Sequence, residues 1–455
     1  MTRILLRAGK DPFEVIPAHD RRAWHAGGFF ATNTGNLLFG DAVHRLLSVP
    51  GAEIDVDGYA TERTAHTDAS VAVIGERYDH LVLPLANALR REWAPVLDRL
   101  SALIERLTIP VTVVGMGAQL PLDDLSARLP DEVEAAQRRF VRAVLARSPR
   151  IGVRGQVTAD HLARLGFGAE HVEVIGCPSL FLRDSAPRVR DERAAGPLRP
   201  DDRVILTIGT TTRPEILPFI DRAAEEFPQL VYVAQREYDF ALLQWGRDAV
   251  GLDPRLPVNR DHRLYREDRI RLFLDSRAWV DFAGGHRFAV GTRLHGSVAA
   301  IVGGTPAVMV AHDSRTLEVA DYHAIPHRTL PSVPIDAGVA DLFELADYDA
   351  FHAGTAERWA RLTGFLDEAG LAHVGPAGER GYDERLAAIV PAPAVTTMRA
   401  PGEEGIRRIE DRIGALQQAL ATESRWSRRR IERLLARRTP APASPPAPRG
   451  LFRRR

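Results

Sequence analysis

GTRLHGSVAAIVGGTPAVMVAHDSR, residues 291–315, decides the reading of the fold. It reads as an apolar helix of small residues followed by a strand at Ala307–Ala311, with Arg293 and His295 at the helix entrance. The unpaired amides of a first helical turn and the positive end of the macrodipole favour negative charge. Two cationic or switchable side chains at that entrance therefore predict an anion site, and Arg315, beyond the strand, adds a further cation.

Outward from this stretch the same alternation repeats. Toward the N-terminus of the second half lie a strand at 204–209, a helix near 215–226 and a strand at 230–234, then a charged segment at 255–271. In the first half a strand at 79–84 leads to a helix over 86–107, with Leu89, Trp93, Leu97, Leu100, Ile104 and Leu107 at helical spacing. A strand then runs from Val111 into a glycine turn that ends near Gln119, and Pro110 supports its boundary. Strand, helix, strand is a βαβ unit. The helix Asp131–Leu145, a strand at 151–154, a helix at 158–165 ended by Gly166, and an apolar segment at 172–178 follow. Residues 184–202 are polar, charged and proline-containing, which reads as a linker. The expectation is an α/β protein of two Rossmann-like, doubly wound domains facing across a cleft. Its parts are residues 1–183, a linker at 184–202, residues 203–392, and a basic helical and Pro/Arg-rich tail at 393–455.

Composition narrows the function. The chain has 455 residues, 45% of them hydrophobic, enough for two to four domains with sizeable cores. Formal charge is zero, yet the tail from Pro401 holds 14 arginines against 6 acidic residues, so the body is acidic. That balance argues against a nucleic-acid partner. Lys10 is the single lysine, so nearly every cation is arginine. One cysteine, Cys177, excludes an intrachain disulfide and a cysteine zinc site, and reads as a small core residue. No signal-like or membrane-spanning run is visible, so a cytoplasmic protein is expected. Its basic tail reads either as a solvated helix or as a contact for a partner helix or for the inner face of an anionic membrane.

Ligand-side positions follow from the alternation. In parallel sheets the carboxyl ends of strands face the crevice, and Arg154 stands at one such end, either there or as an ordinary surface arginine. Residues 24–47 read as a strand end, a Gly and Asn loop and then a helix, and Asn33 and Asn36 in that loop serve either a capped turn or a ligand. Gly117, in the turn before Gln119, lets backbone approach a ligand.

Together NTGN (33–36), VVGMGAQ (113–119), IGVRG (151–155), IGCPSLF (175–181) and the 291–315 stretch form an ordered set that resembles the polysaccharide pyruvyl transferase family, over roughly residues 25–330. Members of that family are similar to GT-B glycosyltransferases in fold. They move a pyruvyl group from phosphoenolpyruvate to a saccharide as a cyclic ketal, in exopolysaccharide or glycan biosynthesis. The resemblance implies a transferase with phosphoenolpyruvate as donor and an oligosaccharide, lipid-linked saccharide or polysaccharide as acceptor, and no cofactor or metal. By motif position it makes Arg154, Arg293, His295 and Arg315 the donor-binding set, with His295 as general acid. Asn33, Asn36, Gly117 and Gln119 become substrate-side residues, with residues 1–183 as the acceptor side and residues 203–392 as the donor side.

The sequence departs from the family where Asn-x-Gly-Asp is common: it has Asn33-Thr34-Gly35-Asn36, and an amide accepts no proton at neutral pH. Asp41, one turn along the helix, is the candidate replacement. Arg315 stands where relatives commonly have lysine, and the glycine turn after the strand at 79–84 is Pro84-Leu85-Ala86-Asn87. Two other readings stand beside the first. One is a GT-B glycosyltransferase using a nucleotide sugar, with Glu318 as the ribose carboxylate; the other is a non-catalytic binding or scaffold protein on this fold.

Overall fold

The structure, a computed structural model, describes residues 1–24, 28–209 and 213–397, together with residues 406, 409, 410, 413, 414 and 417. Residues 1–405 form one compact unit and 406–455 another. The expected basic tail lies almost wholly outside the described residues.

The first unit is α/β, built on parallel sheets. Strands β1 (Thr2–Leu6), β2 (Ala52–Val56), β3 (His80–Pro84) and β4 (Val111–Val114) form a sheet in the order β2-β1-β3-β4. A bridge between Met116 and Val153 carries it on to β5 (Ile151–Val153) and β6 (Val172–Val174). The second sheet runs β12-β11-β10-β7-β8-β9. Its strands are β7 (Val204–Thr207), β8 (Val231–Ala234), β9 (Ile270–Leu272), β10 (Phe288–Gly291), β11 (Ala307–Ala311) and β12 (His327–Thr329). Every paired strand in these sheets is parallel. Apolar runs such as VTVV and AVMVA are buried along their whole length, as sheets covered on both faces require.

Between the sheets lies the helix Gly35–Leu47, in which every residue except Asn36 is buried. The sequence assigns it one apolar face, but the structure uses all sides. Val43, Leu46 and Leu47 join the core of the first sheet, with Ile4, Leu6 and Val82. Leu38 and Ala42 join that of the second, with Ile205, Val298 and Met309. A helix apolar all round belongs in an interior.

The two halves also exchange segments. Phe29, Phe30 and Leu37, from the first loop, pack with Leu206, Phe240 and Val290 of the second sheet. In return the helix Asp349–Glu368, which follows the second sheet in sequence, places Trp359, Leu362 and Phe365 against Ile4, Leu6 and Val82 of the first. Buried hydrogen bonds tie the halves further. Ser314 Oγ accepts from Leu120 N at 2.8 Å and donates to Ala118 O at 2.6 Å, and Cys177 N donates to His323 Nε2 at 2.9 Å. The 184–202 segment is irregular but anchored: Arg190 donates to His286 O at 2.6 Å and Thr305 Oγ1 at 2.8 Å.

One element differs from expectation. The helix expected over 86–107 begins only at Ala94, after a 3-10 turn at Arg91–Trp93. Residues 86–90 are an irregular segment because Leu89 pairs with the glycine turn instead, donating to Gly117 O and accepting from Gln119 N, each at 3.1 Å.

Leu362 has no exposed surface. Leu362→Ala should therefore cost about 2–5 kcal/mol in urea unfolding, the range for a large-to-small change in a close-packed core. A loss below about 1 kcal/mol would show that this helix is dispensable to the first sheet.

Candidate active site

The carboxyl ends of both sheets converge on one cavity of about 320 Å³. Arg7 follows β1, Asn87 and Arg90 follow β3, and Arg154 follows β5; Arg236 follows β8, Arg293 follows β10 and His312 follows β11. Strand direction thus delivers one functional side chain after another to the same space.

The cations are held close and mostly without carboxylates. Arg154 is 1% exposed, its Nη2 is 3.9 Å from Cys177 Sγ, and its Cζ lies 4.9 Å over the Phe39 ring. Burial pushes its pKa down, against the influence of Cys177. Arg293 donates to the Tyr238 hydroxyl at 3.2 Å and lies over Gly209, where a Cβ would come 2.5 Å from its Nε. Arg315 pairs with Asp313, its Nε donating at 2.9 Å. Arg90 is lowered to about 10 by burial and then by Arg315, and Arg236 is lowered by burial and then by Arg293. Neighbouring guanidiniums at this density destabilise one another.

His295 sits in the first turn of the helix Leu294–Val302. Its Nε2 is enclosed and has no hydrogen-bond partner among the described residues. Burial, then the charges of Arg154 and Arg315, hold it well below the ordinary histidine range, so the ring is neutral at neutral pH in the free protein. The ring rests on the start of the central helix: a Cβ on Gly35 would meet His295 Nδ1 at 2.5 Å, so only glycine fits there.

The structure brings Arg154, Arg293, His295, Arg315, Asn33 and Asn36 to this one cavity. Asn33 Oδ1 accepts from Gly35 N at 2.7 Å, and Asn36 Nδ2 donates to Phe30 O at 3.2 Å. Gly117 and Gln119 stand just behind the wall. A Cβ on Gly117 would lie 2.9 Å from Ala86 O and 3.3 Å from Arg154 Cδ, so this glycine makes room for Arg154. Gln119 reaches the cavity through Asn87, 3.2 Å away; with its amide oxygen toward the cations, Asn87 accepts from Arg315 at 2.9 Å.

Two expected carboxylates are elsewhere. Asp41 is buried on the far side of the central helix, accepting from Ser276 Oγ, in a separate cavity with Arg45, Asp275 and Tyr382. One turn of helix separates it from Asn36 in sequence but turns its side chain away, since a residue five positions on points to another face. Glu318 is also buried, and it accepts from Thr158 N at 2.9 Å and Thr158 Oγ1 at 2.8 Å rather than lining the cavity. Burial raises its pKa to about 7.

Arg7, Arg63, Arg90, Arg236 and His312 also line the cavity, though the sequence reading did not single them out. The strand-end rule that found Arg154 was available for Arg236 and His312, whereas Arg7 follows β1, a strand the sequence pattern had not marked. Arg90 was hidden inside a helix expected to start too early.

A family model described as polysaccharide pyruvyl transferase matches residues 33–314, well over half of the chain and one residue short of Arg315. No curated protein matches the chain. Among solved structures, sucrose-phosphate synthase from Thermosynechococcus elongatus is similar at 14% identity and a TM-score of 0.41, covering 86% of this chain and 100% of that one. UDP-GlcNAc 2-epimerase from Neisseria meningitidis bound to UDP-GlcNAc is similar at 11% identity and a TM-score of 0.39, with 85% and 98% covered. A UDP co-structure of S. aureus MnaA is similar at 13% identity and a TM-score of 0.39, with 86% and 100% covered. Likeness at these scores carries no argument about this chain.

Burial raises Asp41 from 3.8 to about 6. An acid whose pKa is higher in the fold than in the unfolded chain stabilises the fold below about pH 4 and loses that contribution as pH rises through about 6. Asp41→Asn should therefore gain stability over the parent protein progressively from about pH 4 to about pH 7 in urea unfolding. A variant less stable than the parent at pH 7 would contradict this.

Proposed function

From a chain that belongs to the polysaccharide pyruvyl transferase family, we propose a transferase that moves the pyruvyl group of phosphoenolpyruvate onto two hydroxyls of a saccharide as a ketal. The observation that carries this reading is the convergence of Arg154, Arg293, Arg315 and His295 on one cavity. Phosphoenolpyruvate carries a carboxylate and a phosphate, and guanidinium forks match both groups. Its charge would also relieve the repulsion among these side chains.

The reaction needs a proton on the methylene carbon of the donor. Protonation there makes a methyl group and leaves the adjacent carbon electron-poor, open to attack by one saccharide hydroxyl oxygen. A second hydroxyl then displaces the phosphate, and the products are a cyclic ketal and inorganic phosphate. The two hydroxyl protons balance the proton added to carbon and the one carried by the released phosphate. His295 supplies the first proton in this scheme. It is neutral in the free protein, so the incoming anion must raise its pKa and charge it on binding. Arg154, Arg293 and Arg315 orient the donor and hold the leaving phosphate. Asn36 positions a hydroxyl without accepting its proton.

Thermal unfolding with added phosphoenolpyruvate tests the donor: at about 100 times the dissociation constant it should stabilise the protein by roughly 2.7 kcal/mol. Stabilisation by nucleotide sugars but not by phosphoenolpyruvate would overturn the reading in favour of the glycosyltransferase alternative. In steady-state kinetics His295→Ala should lower turnover more than donor affinity, and Arg293→Ala should mainly weaken donor binding; the reverse pattern would refute these roles. Calorimetry in buffers of different ionisation enthalpy should show more proton uptake on donor binding by the parent protein than by His295→Ala, so donor affinity gains from falling pH through this group. Equal uptake by both proteins would remove His295 from the proton path.

A further inference from the structure

Among the described residues, seven arginines line the cavity against one carboxylate, Glu62. Glu62 is already taken: Arg7 Nε donates to it at 2.6 Å. Arg315 is neutralised by Asp313. If phosphoenolpyruvate occupies Arg154, Arg293 and Arg315, its carboxylate and phosphate satisfy that set, and Arg90, Arg236 and Arg63 are left over.

Those three are not ordinary solvated surface charges in equal measure. Arg63 is exposed at the rim, donating to Gly28 O at 3.0 Å. Arg90 and Arg236 are partly buried, at a real desolvation cost. The nearest carboxylate to Arg90 is Glu92, 3.9 Å away and itself 76% exposed. Arg236 has no carboxylate ion pair among the described residues. Partly buried cations side by side are unfavourable, and among the described residues the one ion pair either makes is that of Arg90 with the exposed Glu92.

Their position is beside the loop of Asn36, the residue proposed above to position a saccharide hydroxyl. Arg236 forms a bridge with Asn33, and Gln235 O accepts from Thr34 N at 2.9 Å, so Arg236 is fastened directly to the loop that carries Asn36. Arg90 follows the Pro84–Asn87 turn, and its Cζ lies 5.5 Å over the Trp93 ring, against whose ring Arg7 also lies at 5.5 Å. The leftover charge therefore lies beside the Asn33–Asn36 loop and the Pro84–Asn87 turn.

We infer that the acceptor is an anionic saccharide, carrying a carboxylate or a phosphate that Arg90 and Arg236 bind beside the hydroxyls that become the ketal. This rests on the donor assignment proposed above. A uronate and a sugar phosphate offer the same chemistry to a guanidinium fork, and the experiment separates them.

Glucose, glucuronate and glucose 1-phosphate, which share a ring and differ in charge, are titrated into the full-length protein by ligand-detected NMR, with and without saturating phosphoenolpyruvate. With the donor bound, at least one of the acids should bind tenfold or more tightly than glucose, and the better acid identifies the source of the charge. That preference should fall to threefold or less in Arg90→Gln and in Arg236→Gln, return in Arg236→Lys, and shrink with added salt. Arg236→Lys also guards against misreading a folding defect. Equal binding of glucose and both acids, or acids that bind only by displacing phosphoenolpyruvate, would overturn the inference. If phosphoenolpyruvate itself fails to bind, the donor reading falls; an acid preference that still depends on Arg90 and Arg236 would then stand without it.

Discussion

A helix buried on every side is the constraint on which this molecule depends. Gly35–Leu47 gives one flank to the first sheet and another to the second, so the spacing of the sheets is set by its side chains. Its first residue has no side chain, and that is where the His295 ring rests. The same element therefore fixes the separation of the two halves and the depth at which the histidine sits. Its polar positions follow from the same burial: Asn36 reaches the cavity, whereas Asp41 must find Ser276 on the other side.

Around this helix, parallel strands supply the charges. Each strand that ends at the cavity contributes one residue or a short turn, and the sum is a concentration of guanidinium that Glu62, Asp313 and Glu92 neutralise only in part. Guanidiniums gathered in this way repel one another, so a negatively charged ligand would gain affinity from relieving that repulsion as well as from its own hydrogen bonds. The neutral state of His295 comes first from burial and then from the charges of Arg154 and Arg315 among these same cations.

The sheets and most helices were legible because buried parallel strands are short apolar runs and the helices between them keep a 3.6 period. Val111–Val114, Asp131–Leu145 and Ala307–Ala311 needed nothing more. The strand-end arginine Arg154 and the RLH stretch were legible for a positional reason. What stayed hidden had no periodic signature. Leu89 fits a helical face yet pairs with Gly117 and Gln119 through its backbone, which moved the helix start and exposed Arg90 to the cavity. Asp41 is near Asn36 in sequence, but the direction of its side chain depends on which flanks of the helix are buried, and here all of them are. The exchange of Phe29, Phe30 and the helix Asp349–Glu368 between the halves is a long-range packing choice that no local pattern records.

That exchange bears on how the molecule can work in time. Two lobes joined only by a linker swing about a hinge by default, and substrate enters when the jaws part. Here each half holds a piece of the other in its core, and Ser314 and His323 bond across between them, so parting the jaws would mean pulling buried aromatic residues into water. With the halves interlocked in this way, the exposed rim of the cavity, where Arg63 stands, is the natural route of access. In the proposed reaction a charged product leaves through a field of arginines, and salt in the medium screens that field.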